Sequence, residues 1–126
     1  MSDVERILTA VRAACLALPE VVERVSHGSP AWFVRGKKTF VTFADHTHGD
    51  PHTAIWAAAP LGVAAELVAA EPARFFVPPY VGHRGWLGLR LDLVGENALD
   101  ETELRGIAAD AFRHVAPKTL ARLLDA

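Results

Sequence analysis

From Trp86 to Leu93 the chain alternates without a break, with Leu87, Leu89, Leu91 and Leu93 on one parity and Trp86, Gly88, Arg90 and Asp92 on the other. Successive side chains of an extended segment point to opposite faces, so this spacing predicts a half-buried strand over residues 86–93. Its leucine face belongs in a core. The opposite register would bury the charge of Arg90 away from water, so Leu87, Leu89 and Leu91 are expected inside, with Arg90 and Trp86 on the outer face. A sheet with one face packed and the other carrying an aromatic ring and a cation is therefore the first constraint on the fold.

The remaining punctuation fits such a sheet. Ser2 and Glu5 have capping-box spacing, and Val4, Ile7, Leu8, Val11, Cys15 and Leu18 follow at helical intervals until Pro19, which predicts a helix over about 3–17. Segments 21–26, 31–35 and 38–45 are rich in β-branched and aromatic residues. They are separated by turn signals at His27-Gly28-Ser29-Pro30 and Gly36-Lys37, the pattern of an antiparallel meander. A polar loop from His46 to His52 leads to another strand, 53–59. An alanine-rich helix, 61–70, ends before Pro72, and a short extended piece, 75–77, ends at Pro78-Pro79. Asp100 and Glu103 open a second long helix, and Pro117 suits the start of a short last one ending near Asp125. With 126 residues, half of them hydrophobic, the chain predicts one α+β domain over 1–126, a two-layer sandwich with an antiparallel sheet and helices on one face.

No apolar run approaches the roughly 20 residues of a membrane span, and the N-terminus opens on an acidic helix, so the chain reads as soluble and cytoplasmic. The one cysteine, Cys15, lies on the apolar stripe of the first helix and reads as a buried small hydrophobe. A net charge of −2 excludes coating of nucleic acid by bulk charge. The distribution is less even than the total. Residues 27–44 carry Arg35, Lys37 and Lys38 without an acid, and residues 73–90 carry Arg74, Arg84 and Arg90 without one.

His46, His48 and His52, with Asp45 and Asp50 among them, have donors suited to zinc or nickel, but Gly49, Asp50 and Pro51 give the segment the composition of a solvated loop. No metal is expected there. His27 and His83 sit beside turn residues without a neighbouring nucleophile or orienting carboxylate, so no catalytic group is assigned and no enzyme or cofactor is expected. The hairpin Arg35-Gly36-Lys37-Lys38, with Trp32, Phe33 and Phe40 near it, could touch phosphates as a wing, although lysines also commonly decorate hairpin tips.

Taken in order, His27-Gly28 with Pro30, Gly36-Lys37 followed by Phe40, Pro79-Tyr80, Gly85-Trp86 and the strand ending at Asp92, flanked by terminal helices, resemble the MmcQ/YjbR family over essentially the whole chain. The resemblance implies a small α+β domain of the kind described as CyaY-like or like secretion chaperones. It also implies DNA binding through the sheet and its hairpins, the label such proteins usually carry, and it supplies no catalytic residues. The leading expectation is weak, non-specific DNA binding, with Arg35, Lys37, Lys38, Arg84 and Arg90 on phosphates and Trp32 or Trp86 as stacking surface. The alternative expectation is a partner- or small-ligand-binding module using Tyr80, His83 and Trp86.

Overall fold

The computed structural model describes residues 2–125. Helix α1 (Asp3–Leu16) starts on the reciprocal Ser2–Glu5 capping box that its sequence predicts. Strands β1 (Val21–Ser26), β2 (Ser29–Val34), β3 (Lys38–Asp45) and β4 (Thr53–Ala57) follow, then α2 (Val63–Ala70), β5 (Phe75–Phe76) and β6 (Leu87–Arg90). Helices α3 (Glu101–Val115) and α4 (Lys118–Ala121) end the chain, with a last 3₁₀ turn over Arg122–Asp125. The strands form one antiparallel sheet in the order β1-β2-β3-β4-β6-β5. Both tight hairpins turn on successive left-handed residues, His27-Gly28 (φ 52° and 81°) and Arg35-Gly36 (φ 54° and 68°). Two positive φ values match such a turn to the twist of its flanking strands.

The architecture is the expected α+β sandwich. Helices α1 and α3 cover the face made by Trp32, Val41, Phe43, Ile55, Leu87 and Leu89. Phe112 of α3 meets Phe40 edge-on, with ring centroids 5.7 Å apart, and both rings are fully buried. Phe40 sits where the β2–β3 register slips between Trp32 and Phe33, and the irregularity lets it join Val41 on the packed face. At the sheet's other flank Ala64, Leu67 and Val68 of α2 extend the same core beside β5 and β6.

Leu87, Leu89 and Leu91 are buried, as the alternation requires. The opposite parity is less open than predicted. Phe76 of β5 lies over Gly88, and Arg90 stacks its guanidinium on the Phe76 ring at 4.9 Å while donating to the carbonyls of Pro72 and Ala73. Arg90 is consequently half-buried and engaged. Trp86 lies just before the strand and is only 4% exposed, packed into the edge of the core. Trp32 is buried completely, and its Nε1 donates to Glu23, which Arg12 of α1 grips with two nitrogens at 2.7 and 2.8 Å. That places Trp32 between sheet and helices, where no ligand can stack on it. The same guanidinium holds the Glu23 carboxyl below its ordinary range, against the opposing effect of burial.

Two outcomes check this frame. A methyl on Gly88 would fall 2.4 Å from the Phe76 ring, so Gly88→Ala is expected to cost about 1–3 kcal/mol in urea unfolding as β5 is displaced. An unchanged midpoint would refute the Phe76 roof. Because the Glu23 carboxyl is depressed in the folded protein, its contribution is complete above the unfolded value near pH ~4.3 and fades as pH falls through the folded one. The stability gap between the parent and Glu23→Gln should therefore narrow on acidification below about pH 4, and a constant gap down to about pH 2 would contradict the ion pair.

Candidate functional site

With α1 and α3 on one face, the other face of β3 and β4 has small side chains at its middle. Thr42 pairs with Trp56 across the strands and Ala44 with Ala54, so a low floor lies beside a single large indole. A groove of about 920 Å³ runs over this floor. Ser26, His27 and Ser29 of the first hairpin border it, as do Lys37 of the second hairpin turn and Lys38 and Thr39 at the start of β3. Tyr80, Val81, Arg84 and Trp86 come from the loop before β6, and His114 and Val115 from the last turn of α3.

The charge of this lining is one-sided. It contains Lys37, Lys38, Arg84 and the histidines 27, 48 and 114, and among the described residues no carboxylate lines it. Asp50 first appears in a smaller hollow beyond Trp56. Lys37, Lys38 and Arg84 have no salt-bridge partner among the described residues. Arg84 instead lies 5.4 Å from the Trp86 ring centre, a cation–π distance that leaves its N–H groups free for an anion.

The other cations of the two acid-free windows are already occupied. Arg35 faces Glu20 through a forked pair at 3.0 and 3.3 Å, and it draws that carboxyl below its usual range. Arg74 is clamped between Glu71 and Glu103. Arg90 caps carbonyls and the Phe76 ring. Of the five predicted phosphate contacts, the fold thus gathers Lys37, Lys38 and Arg84 and diverts Arg35 and Arg90. The sequence windows could not separate these groups, because Glu20 lies outside its window and Phe76 reaches Arg90 only through the pairing of β5 with β6.

The predicted ligand residues divide as well. Tyr80 is 70% exposed and stands at the groove, Trp86 borders it, and His83 is exposed outside the lining. The sequence reading assigned stacking to Trp32 and Trp86 and left Trp56, the third tryptophan able to stack, out of its binding set. Along β4 it shares parity with Ala54 and opposes buried Ile55, so a lone aromatic on an alanine face was the available signal. His48 lies nearly parallel to the Trp56 ring, 14° apart with centroids 6.5 Å from each other, and it meets Tyr80 edge-on at 4.9 Å. Both His48 and Tyr80 have positive φ, 55° and 65°, a conformation that non-glycine residues adopt at a cost of order 1–3 kcal/mol. Two strained loops thus converge over one half-buried indole.

The three histidines of the polar loop go separate ways. His46 pairs with Asp45 at 2.6 Å, His52 with Asp92 at 3.0 Å, and His48 lies against Trp56. Burial pushes the Asp45 carboxyl up, but hydrogen bonds from Thr53 and His46 outweigh it and hold the group low. Among the described residues no three His, Cys, Asp or Glu side chains come together as a metal site, and no helix is long and apolar enough to cross a membrane. Cys15 is buried, and burial raises its thiol far above the ordinary range.

The crystal structure of Deinococcus radiodurans protein DR2400, with a domain described as DUF419, has the same fold. The two superpose with a TM-score of 0.69 at 12% identity, over 94% of this chain and 87% of that one. No curated protein matches the sequence. A family model described as YjbR matches residues 16–114, which takes in the whole sheet, the groove lining except Val115, and α3 as far as His114. The chain belongs to the YjbR family.

Proposed function

We propose that this YjbR domain binds nucleic acid in the groove along β3, with Lys37, Lys38 and Arg84 on backbone phosphates. The observation that carries the proposal is the groove's lining, which among the described residues has three unpaired cations and no carboxylate, in a chain whose net charge is −2. Bulk attraction is therefore absent, and any affinity for a polyanion has to be local. Phosphate contacts release condensed counterions and carry no sequence information, so binding is weak, salt-sensitive and indifferent to base order. Three contacts correspond to a log–log salt slope of about −2 to −3. In this reading the domain is a binding module.

A second reading has its own observation. A volume of about 920 Å³ lies within the roughly 300–1,000 Å³ of small-ligand sites, and Tyr80, 70% exposed, stands at it as an aromatic group within reach of a ligand. A small aromatic anion seated there would displace a bound oligonucleotide competitively.

The test is fluorescence anisotropy with labelled DNA at low salt. Lys37→Glu with Lys38→Glu should weaken binding at least tenfold and flatten the salt slope by roughly two contacts. Arg35→Gln, which removes a cation already held by Glu20, should change affinity by less than about twofold. Equal losses in the two variants would move the interface away from the groove.

A further inference from the structure

We infer that the groove selects an unpaired strand over a duplex and that the base of that strand stacks on Trp56. This rests on the nucleic-acid reading above and makes it more specific. In a duplex the base faces are covered by their neighbours, and only edges and backbone are presented. A recessed aromatic ring can meet a base face only when that base is out of its stack. Trp56 is such a ring. It is half-buried on the floor of the groove, next to the low side chains Thr42 and Ala44, and the cations stand apart from it on the β2–β3 hairpin and the loop before β6. Phosphates held by Lys38 and Arg84 would run along the rim while a base turns down onto the indole.

The cover over Trp56 points the same way. His48 approaches the indole nearly parallel but with centroids 6.5 Å apart, at the outer end of the stacking range, so it covers the ring incompletely. Tyr80 meets His48 edge-on, is 70% exposed, and like His48 has a left-handed backbone. Strained, exposed aromatic groups at the tips of two loops are placed to rearrange around a planar ligand. The two tryptophans first singled out for stacking lack this access, since Trp32 is fully buried and Trp86 is 4% exposed.

The experiment compares a labelled single strand of roughly 12 nucleotides with the duplex formed by adding its complement, at low salt. The wild-type protein is expected to bind the single strand at least about tenfold more tightly. Trp56→Leu, which keeps apolar bulk but removes the π-face, should weaken single-strand binding about fivefold or more. Duplex binding through Lys37, Lys38 and Arg84 should stay within about twofold and so serve as the control for folding. Trp56→Phe should lose less than Trp56→Leu. A wild-type protein that binds duplex as tightly as single strand would overturn strand selection and leave the groove reading standing. Single-strand binding by Trp56→Leu equal to that of the wild type would remove Trp56 from the site. Failure to bind either form would end both proposals.

Discussion

A six-stranded sheet has two faces, and this chain commits its long helices to one of them. The Phe40–Phe112 contact and the Arg12–Glu23–Trp32 cluster tie α3 and α1 to the same side, so the leucine, valine and phenylalanine residues of the strands face that way. Everything on the opposite side follows from having no helical cover. The uncovered face cannot be a broad apolar surface without inviting association, and the chain meets that constraint in two ways. Over β6 it uses a local roof of Phe76 and Arg90. Over β3 and β4 it uses small residues, polar loops and cations, and there the groove forms.

That division separates structural cations from available ones. An arginine close to a carboxylate of another element is consumed by the fold, as Arg35 is by Glu20 and Arg74 by Glu71 and Glu103. Lys37, Lys38 and Arg84 line a groove to which, among the described residues, no carboxylate contributes, and they have no salt-bridge partner there. In the proposed reading a polyanion would meet these cations locally, so a net charge of −2 does not oppose its binding there.

Local signals in the sequence carried far. The Ser2–Glu5 box, the bounds of β3 and the buried parity of Leu87, Leu89 and Leu91 all depend on neighbours a few residues apart, and each is found as expected. Asp100 caps α3, yet Glu103 does not return the bond, because its carboxylate is taken by Arg74. The same kind of long-range partner explains the errors over the outer face. Nothing near Gly88 in sequence says that Phe76 will fill its gap, and nothing near Trp32 says that Glu23 and α1 will enclose it. The acid-free windows correctly marked the basic strands, but which cations remain free was decided by residues from elsewhere. Trp56 stood alone on an alanine face of β4, a quieter signal than the glycine-flanked Trp86, and only the convergence of the loops carrying His48 and Tyr80 gives it significance.

The central claim is that the acid-free groove is where this domain meets its ligand. Backbone and indole resonances followed by NMR during titration with a short single-stranded oligonucleotide test it most directly. The largest shifts are expected on Lys37 to Thr42, the Trp56 indole N–H and Tyr80 to Trp86, while α1 and the Arg35–Glu20 and Arg90 regions stay still. Shifts concentrated on α1 or on the outer edge of β1, with the Trp56 indole unmoved, would contradict it.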